Sequence, residues 1–522
     1  MPSPRRRRPW ARPASWLCRA VLTLAVLAGA SVIARGAPAS IDACIAESLR
    51  RAGITPSAVC ADTVFVRRVY LDVIGTLPTE AETVAFLQNP APDKRAALID
   101  RLLQREEFAD YWAMKWSDLL RVKAEFPVNL WPNAAQAYHR WIRAAVHENI
   151  PYDRFAHELL TASGSNFRTG PANFYRAVPG RDPRSFATAV ALVFMGTRID
   201  SWPEKNTADL AVFFSRIGFK PTQEWKEEIV FFDPLTPSKE KAVLPDGRAV
   251  RLDPDRDPRE VFADWLVDRK NPWFARAISN RVWAWLLGRG IVHEPDDLRP
   301  DNPPSNPALL ALLERELVAA HFDLRHLYRL ILNSQAYQRS PLPPAGKPDA
   351  ARLFACYPLR RLDAEVLIDA INQITGTHDR YSSVIPEPFT FIPLDARAIA
   401  LPDGSITSSF LELFGRPARD TGLEAERNNS GSAGQRLQLL NSSHIQEKLA
   451  KGPGLQPLLR APGAPQSVLD KLYLTILSRP PTDEERAVVN DYARSPGAGA
   501  GREATLDVAW ALINTAEFIH RH

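Results

Sequence analysis

Apolar positions recur at three- and four-residue spacing along most of this chain, which is the signature of amphipathic helices packed through one face. The first such run spans Ile41 to Arg51, followed by Asp62 to Ile74, Glu80 to Leu87 and Lys94 to Leu103. Phe108, Tyr111, Trp112 and Trp116 fall on one helical face, and a tryptophan stripe of this kind reads as core rather than as a ligand platform. Further helices are predicted over Ala135 to Glu148, Tyr152 to Leu160, Arg184 to Phe194 and Thr207 to Arg216.

The period changes between Trp225 and Leu252. Glu228 to Phe232 and the segments around Lys241 and Arg248 alternate with period two, and Asp246-Gly247 has the form of a hairpin turn. Helical spacing returns at Glu260 to Val267, Trp273 to Leu287, Pro307 to Ala320, Leu324 to Asn333 and Leu362 to Thr375. The prolines of Ser382 to Ser405 predict an irregular crossing, and Gly452 to Pro465 reads as a linker before two final helices.

The expected architecture is mainly α, multi-helical and two-domain. Its parts are a targeting segment over 1–39, a helical domain over 40–222, a small β insertion over 223–258 and a second helical domain over 259–522. A weak repeat supports the helix boundaries. Tyr70-Leu71 followed by Pro78-Thr79 and Glu82 returns as Tyr473-Leu474, Pro481-Thr482 and Glu485, offset by 403 residues. In both copies the threonine is placed to cap the next helix and the glutamate to return the bond.

The first 39 residues change the charge picture. Arginines 5–8, 12 and 19 precede an apolar stretch from Ala20 to Ala34, and Ala37-Pro38-Ala39 has the small-x-small form of a signal-peptidase site. The apolar core is shorter than the roughly 20 residues that span a bilayer. The expectation is therefore a cleaved signal peptide and a periplasmic or secreted protein, with no transmembrane segment after its removal. The whole chain has 65 basic and 60 acidic side chains, net +5, but residues 1–39 hold seven arginines and no acid, leaving −2 for the remainder. Nucleic acid loses its electrostatic support as a partner. In an oxidising compartment Cys44 and Cys60 form the plausible disulfide, closing a short loop and leaving Cys356 single; the alternative is three buried thiols.

Motifs for chemistry are sparse. The sequence has no Gly-x-Ser-x-Gly elbow, glycine-rich phosphate loop, dinucleotide fingerprint or His-Glu-x-x-His helix. His293, Glu294, Asp296 and Asp297 group four possible ligands, yet a polar loop after a helix produces such groupings without a metal, and His321, Asp323 and His326 read better as a helix cap. No catalytic, metal or cofactor-binding residue is assigned. What stands out is polar groups set in or beside apolar segments: Asn280, Arg281, Asp297, Arg299, Arg361, Glu365, Arg416, Arg419, Glu426 and Arg427. Burying them separately would leave unpaired charges at several kcal/mol each. The expectation is one network with surplus positive charge, suited to a carboxylate or sulfate ligand; the plainer reading is ion pairs that lock helices in register.

Several of these segments carry a resemblance. Asn271-Pro272-Trp273-Phe274, Asn280-Arg281-Val282-Trp283, Gly288-Arg289-Gly290, Asp297-Leu298-Arg299-Pro300 and Asn333-Ser334-Gln335-Ala336-Tyr337 resemble the second domain of a family found in planctomycetes and related bacteria. Arg67-Arg68-Val69-Tyr70-Leu71-Asp72, Trp112, Trp116 and Pro151-Tyr152-Asp153-Arg154-Phe155 resemble its first domain. This is the planctomycete cytochrome-associated two-domain family of unknown function, with a PSCyt-type first and a PSD-type second domain. The resemblance implies an extracytoplasmic protein, often encoded beside a secreted sulfatase-like partner. Many members carry a Cys-x-x-Cys-His motif where this chain has Thr197 to Pro203, and a Cys-x-Cys element where it has Leu423 and Ala425. The economical inference is that both belonged to one metal or redox centre, so that this member binds no haem and uses no cofactor. The resemblance thus favours a non-catalytic binding or assembly protein of the cell envelope, linked to polysaccharide or sulfated-glycan handling. The alternatives are an enzyme using the Arg/Asp/Glu cluster on an anionic or sugar substrate, and electron transfer, which the missing haem motif disfavours.

Overall fold

The computed structural model describes residues 40–237, 239–460, 465–495 and 501–522. The expected signal peptide lies outside the described residues.

Helices dominate, and their ends follow the local chemistry. α1 (Ile41–Ala52) and α2 (Asp62–Val73) open the described chain, and nine consecutive residues of α2 from Phe65 to Val73 are buried, Arg67, Arg68 and Asp72 among them. α3 (Glu106–Leu119) carries the aromatic stripe. α4 (Pro183–Met195) begins with Pro183 at its first turn and with the Asp182 carboxylate accepting from the Arg184 and Ser185 amides, and it stops at left-handed Gly196. α5 (Phe274–Leu287) buries every residue except Arg276, so it is a core helix rather than an amphipathic one. α6 (Ala364–Thr375) is almost as fully buried. The repeated capping box forms in both copies, with Thr79 and Glu82, and Thr482 and Glu485, satisfying each other's backbone amides.

The β region is small, as expected, but it starts earlier and recruits more distant chain. β1 (Gly164–Ser165), β2 (Ile217–Pro221) and β3 (Glu228–Phe232) form an antiparallel sheet in the order β1-β3-β2. Only β4 (Lys241–Val243) and β5 (Ala249–Arg251) form the local hairpin around Asp246-Gly247. The helix predicted through Arg216 ends at Ala211 and tightens into a 3-10 turn before β2. A third pairing joins β6 (Arg360–Arg361) to β7 (His520–Arg521) at the extreme C-terminus. After residue 451 the chain makes more than the two helices expected, including Asp483–Arg494 and Arg502–Ile513.

Residues Ile41–His522 form one compact unit. Its tryptophan-rich centre joins α3 to α5: the Trp112 and Trp285 rings lie 5.5 Å apart, Trp116 meets Trp285 edge-on at 5.7 Å, and Tyr328 packs 4.4 Å from Trp112. Tyr152 and Phe274 stack at 4.5 Å. The aromatic stripe is core, as its spacing predicts. Among the described residues no helix is long and apolar enough to cross a membrane.

The expected Cys44–Cys60 bridge is a correction. Both thiols are free and buried, as is Cys356. Cys44 sits on α1 with its carbonyl accepting from Asn306, while the Cys60 amide donates to the Gln338 carbonyl and its own carbonyl accepts from Arg95. Each cysteine is anchored to a separate part of the second half of the chain, and burial raises the Cys44 thiol above its ordinary range, as it does Cys356.

Candidate functional site

Four distant stretches meet above the tryptophan centre. α3 presents Lys115 and Asp118 on either side of Trp116, and both meet the second half of the chain, at Asp363 and Arg427. Asp363 and Glu365 stand at the start of α6, the latter with no exposed surface. An irregular loop over residues 414–431 supplies Arg416, Arg419, Arg427 and Asn429, and β7 supplies Arg521. The loop is pinned at Gly415, whose φ is +88° and whose carbonyl accepts the Asn428 amide; a Cβ there would lie 1.8 Å from the Asn428 oxygen.

The ion pairs are short and shared. Arg427 holds Glu365 through both guanidinium ends, at 2.7 and 3.1 Å, and reaches Asp118 at 2.6 Å. Arg419 takes the other Asp118 oxygen at 2.9 Å, and Arg416 lies 3.4 Å from Glu365. Asp363 is 2.8 Å from Arg521 and 3.1 Å from Lys115, and accepts from the Asn429 amide at 2.9 Å. Asp72 continues the network, accepting from Arg360 at 2.9 Å and from the Tyr337 and Tyr357 hydroxyls at 2.9 and 2.7 Å. Burial alone would raise the Asp363 carboxyl, but Lys115, Arg521 and Arg427 hold it well below its ordinary range. Asp118 is lowered by the same contest, with Arg427 and Arg419 opposing its burial.

This network floors an open cleft of about 620 Å³ lined by Lys115, Arg289, Arg361, Asp363, Glu424, Arg427 and the 428–431 loop among others. Two cations face it uncompensated. Arg289, between Gly288 and Gly290 at the end of α5, makes no hydrogen bond or ion pair to any described residue, and its Nε is buried without a partner. Arg361 donates only to the neutral Gln435 side chain, and burial together with neighbouring Arg436 lowers its pKa. Of the acids that line the cleft, Glu294 meets only His293, at 3.9 Å, and Glu424 has no cation partner. Trp285 donates to it at 2.9 Å, and burial raises its pKa against the pull of Lys115. Lys115 is itself lowered, by burial and then by Arg427.

The sequence-derived cluster therefore gathers in part. Glu365, Arg416, Arg419 and Arg427 converge, and Arg361 shares their cleft. The other five do not join the network. Asn280 exchanges bonds with the Val292 backbone, and Arg281 is sealed against Asp296 at 2.7 Å and the Leu192 and Val193 carbonyls. Asp297 and Arg299 pair locally, with the Arg299 side chain 46% exposed, and Glu426 ties down the amides of Asp420 and Thr421. Asn280, Asp297, Arg299 and Glu426 find partners within their own loops or neighbouring turns, and Arg281 finds Asp296 and the carbonyls at the end of α4, so nothing forces them to the centre. Lys115, Asp118, Asp72, Arg289, Glu424 and Arg521 are absent from the sequence-derived set. Asp72, Lys115 and Asp118 carried the signal that singled out Arg281, a charge inside an apolar helix; Arg521, near the chain end, carried none.

His293, Glu294, Asp296 and Asp297 do not assemble either, because Asp296 is committed to Arg281 and His293 stands 3.9 Å from Glu294. No group of three or more histidine, cysteine or acidic side chains among the described residues is placed to hold a metal ion.

Comparison with known proteins returns two family models. PSCyt2, a protein of unknown function (DUF1549), matches residues 40–211, and PSD1, a protein of unknown function (DUF1553), matches residues 258–493. No curated protein and no solved structure matches the chain.

Proposed function

Taking as premise that the chain belongs to this two-domain PSCyt2–PSD1 family, we propose that it is an exported binding protein of the cell envelope whose cleft holds a carboxylate- or sulfate-bearing ligand. One observation carries the reading. The buried acids Asp118, Asp363 and Glu365 beneath the cleft are engaged by arginines and Lys115, while Arg289 and Arg361 face the opening with no carboxylate in ion-pair contact. A planar guanidinium matches a carboxylate or sulfate through paired N–H donors, and the rigid floor leaves little reorganisation to oppose binding. Export rests on the signal-like first 39 residues. An anionic ligand agrees with the sulfatase-like partner that the family resemblance implies.

The test is titration calorimetry with a sulfated oligosaccharide, a uronate oligosaccharide and an uncharged counterpart. Binding of the anionic ligands alone is expected, weakened about tenfold by Arg289→Ala and weakened again by salt. Equal binding of the uncharged sugar, or no binding of any, refutes the proposal.

Glu424 supports a second reading, an enzyme acting on the same anionic ligand. A carboxyl raised by burial and a lysine lowered by burial share the cleft, which is how proton donors and acceptors are set near neutral pH. Turnover of a bound glycan that disappears in Glu424→Gln, with binding retained, would select this reading.

A further inference from the structure

A second groove, which shares no lining residue with the cationic cleft, lies where the 126–131 segment faces the turn between β2 and β3. We infer that it is a binding site for an uncharged saccharide chain. The groove measures about 710 Å³, and its walls combine Phe126, Trp131 and Trp225 with Asn129, Gln223 and Glu224. Phe126 is 85% exposed and Trp225 61%. Trp131, Trp225 and Phe389 form a three-ring corner, with centroids 4.7, 5.2 and 5.4 Å apart and planes tilted by 59–72°.

The backbone is strained to present these rings. Asn129, Trp131 and Lys226 all have positive φ, at 61°, 74° and 64°. For a residue as bulky as tryptophan this is an outlier, and such conformations cost about 1–3 kcal/mol each unless the surroundings impose them. Hydrogen bonds impose them here: the amides of residues 129, 130 and 131 donate to the carbonyls of Glu125, Lys123 and Ala124, and Asn166 donates to the Lys226 carbonyl. Burying an aromatic ring needs no such device, and these rings are not buried.

The chemistry of the groove selects the ligand. A pyranose ring has an apolar C–H face that stacks on an exposed aromatic ring and a rim of hydroxyls that bond planar polar groups. The Asn129 and Gln223 side chains make no hydrogen bond to any described residue, so both are free to meet hydroxyls. The charged groups other than Lys226 meet opposite charges or hydroxyls: Arg176 and Arg181 share Glu228 at 2.8 and 3.3 Å, Thr222 and Ser165 donate to Glu227, and Glu224 lies 3.4 Å from Arg168. Lys226 lies over the Trp131 and Trp225 rings, at 5.4 and 5.7 Å. The groove thus lacks the unanswered arginines of the cleft, and an uncharged chain fits it better than an anionic one.

Affinity electrophoresis of the full chain tests this, in native gels containing a soluble cellulose derivative, laminarin, galactomannan or starch, with chondroitin sulfate as the charged control. At least one uncharged polysaccharide is expected to retard the protein. Trp225→Ala should weaken retardation about tenfold and Phe126→Ala should weaken it less, both with unchanged far-ultraviolet circular dichroism and thermal unfolding because the two rings are exposed. Arg289→Ala should leave it unaltered, which separates this site from the cationic cleft. Retardation by none of the uncharged polymers, by chondroitin sulfate alone, or equally in wild type and Trp225→Ala overturns the inference.

Discussion

Arg427 reaches Asp118 at 2.6 Å across 309 residues of sequence, and that contact closes the charged floor of the cleft. Asp118 belongs to the segment matched by the first family model and Arg427 to that matched by the second. The same carboxylate also holds Arg419, so one aspartate is shared by two arginines of the 414–431 loop.

Asp118→Asn should therefore destabilise the protein by about 3 kcal/mol or more, because it leaves two buried guanidinium groups short of charge. Urea unfolding followed by tryptophan fluorescence measures this. A loss below about 1 kcal/mol would show that Glu365 alone compensates Arg427.

The C-terminus is a structural part of the same floor. Arg521 is 3% exposed, lies between Asp363 at 2.8 Å and Asp72 at 3.5 Å, and its strand pairs with Arg360 and Arg361. Arg521→Ala is expected to cost about 3–5 kcal/mol, and Arg521→Lys should recover only part of it because an ammonium cannot span both carboxylates. Thermal unfolding of the two variants decides the point; equal stability of wild type and Arg521→Ala would contradict it.

His139 makes stability pH-dependent. It is buried with its Nε2 unpartnered, and burial, with Arg419, Arg143 and Arg140 nearby, lowers its pKa to about 3. The unfolded chain then takes up the proton first as pH falls. The stability that neutral His139 contributes is full above about pH 6.5 and is lost towards pH 3, at up to about 1.4 kcal/mol per pH unit. Asp369, raised to about 6 by burial, acts in the opposite sense, its destabilising charge growing as pH rises from about 4 to 6. Comparing wild type with His139→Gln isolates the histidine: the advantage of wild type should shrink steadily below pH 6.5, and a constant difference would refute the assignment.

The three buried cysteines give a direct mass-spectrometric test. Cys44, Cys60 and Cys356 should resist alkylation in the native protein and each take one label after denaturation without reductant. A Cys44–Cys60 peptide joined by a disulfide would reinstate the bridge predicted from sequence.

Periodicity and local capping chemistry were enough to place the helices, the aromatic core stripe and the paired Thr79/Glu82 and Thr482/Glu485 boxes, because each depends on neighbours within a few residues. The sequence motifs likewise pointed to both matched family segments. A charge inside an apolar segment reveals that it needs a partner, and this much was legible at Arg416, Arg419, Arg427 and Glu365. Which partner it takes was not. Arg281 met Asp296 next to its own helix, whereas Arg427 met Asp118 from the other half of the chain, and nothing in the spacing distinguishes the two. Tertiary packing alone brought Lys115, Asp118 and Arg521 to one cleft and kept Cys44 and Cys60 as separate thiols. Pairing is decided by the lowest total cost of burying every charge at once, a property of the whole core that no local window contains.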